Sequence, residues 1–395
     1  MSTTTTQHTQ TAYKDTSIGK IPADWEVKRL GEIVSFLDEN RRPIKETERS
    51  KMKGPYPYYG ASGIIDYVND YLFDDELILL GEDGANILSR ATPLAFMVEG
   101  KVWVNNHAHV LKTRDGYDRK FVTEYLESIK YDKYNTGTAQ PKLNKEVCLS
   151  IPIVVPPLSE QKRIAEVLST WDKAIQLTEQ LIRQKEQRKK WLMQNLLTGK
   201  MRLKGFSGEW MEMHLGDMFS ERNETKYFDL PLLSIGQNGV YPQDESVKKD
   251  TSNEDKSKYK RICPGDIGYN TMRMWQGRSA LSELEGIVSP AYTVVTPKKN
   301  ADSIFFSYLF KMPKMTNLFW RNSQGLVDDT LNCKFKDFSI VKVKLPKAKE
   351  EQAAIAQVLQ AADKEISLLK AKAEKLREQK KGMMQVLLTG RVRLL

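Results

Sequence analysis

One stretch of this chain, Pro156 to Leu203, is present twice, and that repetition limits the possible folds more than any other feature. The first copy opens Pro156-Pro157-Leu158-Ser159-Glu160-Gln161 and closes Leu196-Leu197-Thr198-Gly199-Lys200-Met201-Arg202-Leu203. The second opens at Glu351-Gln352 and closes Leu387-Leu388-Thr389-Gly390-Arg391-Val392-Arg393-Leu394. Gln161 and Gly199 recur at Gln352 and Gly390, each 191 positions on, so the copies align without a gap.

Each copy reads as one long helix. Ile164, Leu168, Trp171, Ile175, Ile182, Leu192 and Leu196 follow three-and-four spacing, as do Ile355, Leu359, Ile366, Leu369, Leu376, Met383 and Leu387. Such spacing puts side chains on one narrow stripe, the seam of a coiled coil. Pro156, Pro157 and Pro346 precede the helices, Ser159 is placed to be an N-cap, and Gly199 and Gly390 are placed to be left-handed C-caps. Roughly 40 residues at about 1.5 Å each give a rod on the order of 60 Å. Thr178, Lys185, Lys189 and Lys380 interrupt the stripe, and polar seam positions can fix register or face a partner.

Outside the helices lies enough chain for two folded domains, one before each helix. They too share a frame. Trp25 with Leu30-Gly31-Glu32 recurs as Trp210 with Leu215-Gly216-Asp217, Tyr125-Leu126 as Tyr308-Leu309, and Leu143-Asn144 as Leu331-Asn332. The interiors have diverged, which looks like one device adapted to two targets. Short apolar runs such as Glu76 to Leu80, Ala95 to Val98 and Gly286 to Val295 read as strands. The expected class is α+β: two strand-rich domains separated by two long helices forming an antiparallel coiled coil, with an internal pseudo-twofold repeat. The expected divisions are a flexible tail over 1–20, domains over 21–155 and 204–345, and helices over 156–203 and 346–395.

The net charge of +10 is a prior for nucleic acid, but nine of the ten excess positive charges fall in 160–203 and 351–395. The globular parts are not strongly basic, so they would bind DNA through local clusters or with help from another subunit. No run of about 18 apolar residues exists to span a membrane. The polar Thr/Gln start has no signal-peptide core, and three cysteines without a C-x-x-C pair suit reduced thiols, so the expected location is cytoplasmic.

Catalytic motifs are hard to find. His107-Ala108-His109 has no partner at zinc spacing among only four histidines, so no metal is expected. Ser289-Pro290-Ala291-Tyr292 approaches the loop with which N6-adenine methyltransferases hold the target amine. It lacks the second proline, and no Gly-rich cofactor loop precedes it, so it reads as a turn into a strand. Thr198-Gly199-Lys200 lacks the upstream glycine of a phosphate loop.

What remains are polar and aromatic clusters suited to nucleic acid. Arg and Lys reach guanine, Asn and Gln pair with adenine, and phosphates accept from Lys, Ser and Thr. In the first domain the candidates are Arg41, Arg42, Tyr59, Ser62, Asn105, Asn106, His107, Thr138, Gln140 and Lys142. In the second they are Gln237, Asn238, Asn270, Arg273, Trp275, Gln276, Ser323 and Gln324.

On Ile21-Pro22-Ala23-Asp24-Trp25, the stretch Gly137 to Asn144, Pro156 to Gln161, both Leu-Leu-Thr-Gly endings and Gly286 to Tyr292, the chain strongly resembles the DNA-specificity subunit of type I restriction–modification enzymes. The second helix departs from the pattern, with Lys347-Ala348-Lys349 where the first has Pro157-Leu158-Ser159. The resemblance implies a non-catalytic subunit whose two target-recognition domains each read one half of an interrupted double-stranded DNA site. It implies an antiparallel helical spacer and two docked methyltransferase subunits that hold S-adenosylmethionine, with no cofactor in this chain. Restriction motor-nuclease subunits complete the restriction enzyme. Two other readings are a self-contained DNA-modifying enzyme, disfavoured by the missing motifs, and a coiled-coil scaffold, disfavoured because the helices are a minority of the residues.

Overall fold

The computed structural model describes residues 12–236, 239–245, 254–327 and 330–394. The chain divides into two compact units, one of Met1–Thr178 with Lys372–Leu395 and the other of Glu179–Ala371. The central helix (Leu158–Leu196) begins in the first unit and ends in the second; the C-terminal helix (Lys349–Leu387) does the reverse.

In the first unit, the all-buried strand Leu77–Gly81 lies inside a four-stranded sheet, between Ala108–Thr113 and Ala95–Val98, with Val34–Phe36 on the far side of Ala108–Thr113. A second four-stranded sheet contains Lys53–Gly60, Gly63–Val68, Lys101–Val104 and Phe73–Asp74. Glu26–Arg29 pairs antiparallel with Pro152–Val155, closing the domain just before the central helix. The core gathers Trp25, Leu30, Phe121, Leu126 and Tyr131 around Ile164 and Leu168 of the central helix and Leu387 of the C-terminal one.

The second unit repeats one four-stranded sheet and the closing strand pair, but among the described residues it has two two-stranded sheets, Leu233–Ile235 with Val240–Pro242 and Lys260–Ile262 with Gly286–Val288, in place of the other four-stranded one. Its four-stranded sheet has the order Phe219–Glu221, Tyr292–Pro297, Ile267–Asn270, Ser279–Leu281, matching the first unit strand for strand. Trp210–His214 pairs with Lys342–Pro346 as Glu26–Arg29 does with Pro152–Val155. Its core is phenylalanine-rich: Phe219 meets Phe306 edge-on at 4.9 Å, and Phe319 stacks on Phe338 at 5.9 Å.

The duplicated sequence does the same work twice. Trp25 Nε1 donates to Glu160 at 2.9 Å and Trp210 Nε1 to Glu351 at 3.3 Å. Arg393 clasps Glu160 through Nε and Nη2, both at 2.8 Å, and Arg202 clasps Glu351 at 2.5 and 2.7 Å. Each arginine also lies over the tryptophan ring it shares, at 5.5 and 5.9 Å from the centroid. Gln161 accepts from the Asp118 amide and Gln352 from the Asp302 amide, both at 2.9 Å. Asp118 and Asp302 are themselves N-caps of the helices Arg119–Ser128 and Ser303–Leu309. A buried Glu-Gln pair thus ties each long helix to its domain.

Both glycines are left-handed C-caps at φ +70°, and the amide two residues beyond each donates back to a carbonyl six residues earlier. Three of the four seam interruptions are ion pairs, while the Thr178 hydroxyl donates to the Ala174 carbonyl of its own helix at 2.8 Å. In the first unit Lys380 donates to Asp172 and Glu124; in the second Lys189 donates to Asp363, and Lys185 pairs with Glu365. Asp172 and Lys189 lie 191 positions before Asp363 and Lys380, so one bond is made twice. In each unit the pairing is antiparallel, since Glu160 meets Arg393 where Asp172 meets Lys380, and Lys185 meets Glu365 where Lys189 meets Asp363.

Two local expectations are corrected. Tyr13–Thr16 and Gly19–Pro22 form a hairpin, with the Tyr13 hydroxyl on the Gly390 carbonyl at 3.0 Å, so the tail is not loose from Tyr13 onward. Burial of Ile21 and strand pairing hold it, while residues 1–11 lie outside the described residues. Ser159 is not an N-cap, because the helix has already started at Leu158 and the Pro157 carbonyl accepts from the Glu160 and Gln161 amides.

Candidate nucleic-acid interface

The candidates of the first unit converge where strand Leu77–Gly81 runs out into Glu82-Asp83. Arg41 donates to Glu82 at 2.6 Å and to the Ala108 carbonyl at 2.8 Å, and Lys142 stands 3.3 Å from the other Glu82 oxygen. His107 pairs with Asp83 at 2.8 Å, and its amide donates to Asn105 Oδ1, which fixes the turn Asn105-Asn106-His107. The loop from Thr136 to Lys142 closes on Asn135, whose Oδ1 accepts from the Gly137 amide at 3.0 Å and the Lys142 amide at 2.8 Å. A Cβ on Gly137 would meet the Gln140 carbonyl oxygen at 1.8 Å, so only glycine fits there. The Gly84 amide donates to Pro141, and the Leu143 amide to Glu82. The hairpin tip at Ala61-Ser62 completes the cluster, since a Cβ on Gly81 would lie 2.8 Å from the Ala61 carbonyl oxygen.

Arg42, Ser62, Asn106, His107, Thr138, Gln140 and Lys142 are exposed there, and Tyr59 is half-buried beside Phe96. Two candidates belong to the scaffold. Asn105 is buried, and the Arg41 guanidinium is held among Glu82, Asp38 and two backbone carbonyls. His107 precedes the strand that contains His109, and the two rings engage different carboxylates, Asp83 and Asp38. Among the described residues no group of three or more His, Cys, Asp or Glu is placed to hold a metal ion.

The second unit builds its cluster at the matching place, where strand Ile267–Asn270 runs into Thr271. Asn270 Oδ1 accepts from the Met272 amide at 3.0 Å, and Trp275 Nε1 donates to the Met272 carbonyl at 3.2 Å, shaping the turn that carries Arg273 and Gln276. Thr271 donates from its amide and its hydroxyl to the Ala291 carbonyl and accepts from the Cys333 amide. That ties three segments together: the 270–277 turn, the Ser289–Ala291 turn before strand Tyr292–Pro297, and the loop leading to Cys333. Gln324 exchanges both backbone bonds with Asn332, and Ser323 Oγ donates to the Phe319 carbonyl. Gln276 and Gln324 are exposed; Asn270, Arg273, Trp275 and Ser323 are half-buried. Gln237 and Asn238 lie outside the described residues.

Sequence reasoning missed Asp38, Glu82 and Asp83 in the framework of the first cluster, and it weighed His109 only as half of a metal site. No local spacing announces them, because the chain brings together positions 38, 82 and 109 only through strand pairing. In the second unit it missed exposed Met272, Leu326 and Val327, apolar residues in polar loops. Guanidinium, amide and ammonium donors around a strand end suit base edges and phosphates. Among the described residues no helix is long and apolar enough to cross a membrane.

Comparison with known proteins agrees with this geometry. The type I restriction modification DNA specificity domain matches twice, over residues 22–187 and 207–378. A putative type I restriction enzyme specificity subunit of Haemophilus influenzae is 26% identical over 348 residues, covering 84% of this chain and 86% of that one. The EcoDI specificity subunit of Escherichia coli is 24% identical over 277 residues, 67% of this chain and 57% of its own. The crystal structure of an S subunit from M. genitalium superposes with a TM-score of 0.57 at 14% identity, over 92% of this chain and 96% of that chain. A chain from a structural study of type I restriction–modification complex assembly and conformational transition gives 0.56 at 14% identity, over 94% and 99%. With the domain matched once in each half of the sequence, this chain belongs to the type I restriction modification DNA specificity family.

Proposed function

We propose that this chain is the DNA-reading component of a type I restriction–modification assembly, each unit reading one half of an interrupted double-stranded site. One observation carries the reading. The same frame is built twice, and its matching strand ends carry different chemistry: an ionic set of Arg41, Glu82, His107 and Lys142 in one unit, and an amide-and-aromatic set of Asn270, Trp275, Gln276 and Gln324 in the other. Two readers with one scaffold and different surfaces suit an asymmetric target. The reading assigns Lys142 to a phosphate and Arg273 and Gln276 to base edges, the partners their side-chain chemistry suits.

The reading assigns the helices to setting the gap between half-sites and to docking two N6-adenine methyltransferase subunits. Those subunits hold S-adenosylmethionine, and motor-nuclease subunits join for restriction. The test exchanges residues 25–155 for the matching segment of a relative, co-expresses the methyltransferase, and maps methylated adenines. One half of the recognised sequence should change while the other stays. A change in both halves together would overturn the modular reading.

A further inference from the structure

His109 is 1% exposed, in the strand Ala108–Thr113, where it pairs with Leu80. Its Nδ1 lies 2.6 Å from Asp38 Oδ2 and its Nε2 2.8 Å from the Leu143 carbonyl oxygen. Both neighbours are acceptors. A neutral imidazole has one N–H, so satisfying both requires the cation. Burial is the largest single influence and opposes that charge, but the hydrogen bonds and charges of Asp38 and Cys148 together exceed it and lift the ring to about 10. Asp38 is fixed in turn, accepting from the Val110 amide at 2.9 Å with Arg41 at 3.5 Å.

Leu143 is the base of the Thr136–Lys142 loop. It is fully buried, its amide donates to Glu82 at 2.7 Å, and its carbonyl is the one His109 holds. Both backbone groups are therefore committed to the sheet, and the exposed tip at Thr138 to Gln140 takes its position from them. The second unit lacks this charge. Counting along the shared frame, Thr293 occupies the strand position of His109, and its hydroxyl meets the Thr271 hydroxyl at 3.0 Å.

We propose that His109 is a positioning residue for DNA reading by the first unit: a buried imidazolium strut between Asp38 and the Leu143 carbonyl that fixes the Thr136–Lys142 loop against the sheet. It sets which bases the loop accepts without touching them. The proposal rests on the reading of that loop as a DNA contact, and two variants separate the two ideas. His109→Gln removes the strut from inside. Asn135→Ala opens the same loop from its half-buried rim by removing the acceptor for the Gly137 and Lys142 amides.

The full chain, complexed with its methyltransferase subunits, is used to select DNA from a random library, and amide hydrogen exchange is followed across 136–142. His109→Gln should speed exchange in the loop and cut discrimination roughly tenfold at positions in one half-site only. Asn135→Ala should relax the same positions. If Asn135→Ala relaxes them and His109→Gln does not, the strut is overturned while the loop remains a reader. If neither changes base preference, the loop does not read DNA and both ideas fall. Equal weakening of both half-sites by His109→Gln would make its role one of stability alone and overturn the proposal. If the single variant does not fold, the pair His109→Gln/Asp38→Asn leaves no unpaired buried charge, and the same outcomes decide.

Discussion

Glu160→Ala offers the most direct measure of how the duplicated helix holds its domain. The Glu160 carboxylate is 2% exposed and accepts from Trp25 Nε1, from Arg393 Nε and Nη2, and from the Leu394 amide at 3.1 Å. Removing one member of a buried pair costs ~3–5 kcal/mol, because the other charge loses its partner. Here Arg393 keeps Asp24 at 2.9 and 2.7 Å, which places the loss near the lower end. At ~3 kcal/mol, a unit of this size should melt roughly 6–12 °C lower. Differential scanning calorimetry of the full chain reads it, and Glu160→Gln, which keeps an oxygen for the Trp25 N–H, should lose less. Arg393→Ala combined with Glu160→Ala should cost less than the two single losses together. Acid provides a second readout. Burial raises the Glu160 carboxyl, but Arg393 and Trp25 outweigh it and hold the group below its ordinary 4.5. Its contribution is therefore present above the unfolded value and is lost as pH falls through the lower folded one. The gap between wild type and Glu160→Ala should close over that acid range. A melting point within a degree or two of wild type at pH 7 would refute the anchor.

The remaining predictions concern the cap and the loops. Gly390→Ala combines a positive φ with a Cβ that would lie 2.4 Å from Pro22 Cδ, whereas Gly116→Ala, also at positive φ, meets open space. Urea titration should show a loss of ~1 kcal/mol for Gly116→Ala and clearly more for Gly390→Ala; equal losses would remove Pro22 from the account. Lys142→Ala should weaken binding to all sequences alike and reduce the salt slope by about one, while Arg273→Ala should cost about 1–3 kcal/mol and relax a single position. Fluorescence titrations over a salt series check both, and wild-type behaviour in each would take these loops out of the interface.

How much of this was legible beforehand followed from the range of the signal. Helices announce themselves through three-and-four spacing over tens of residues, and a repeat in register adds a second copy of every clue, so the seam and both glycine caps could be read directly. The lysines that interrupt the seam showed as defects, because their partners Asp363 and Asp172 lie on the other helix. The site was harder. Clusters such as Thr138 to Lys142 show in sequence because turns concentrate polar residues. Nothing local says that Arg41 is held by Glu82 or that Asn105 is buried in its own turn. Burial and ion pairing between distant positions are properties of the sheet, and a linear pattern does not contain them.

The contrast between the units explains why the frame could stay while the surfaces changed. Each domain is clamped by groups remote from its strand end: the Glu-Gln pair, the tryptophan, and the arginine beyond the glycine cap. Those bonds set the sheet without involving Glu82 or Thr271. Substitution at the strand end therefore perturbs only the loops resting there, and the cost is local. In the first unit that local problem is solved with charge, His109 against Asp38 and Arg41 against Glu82; in the second, the matching strand position carries a hydroxyl, Thr293 against Thr271. A scaffold clamped away from its strand ends tolerates either solution, and under the proposed function that tolerance is what lets one fold serve two different half-sites.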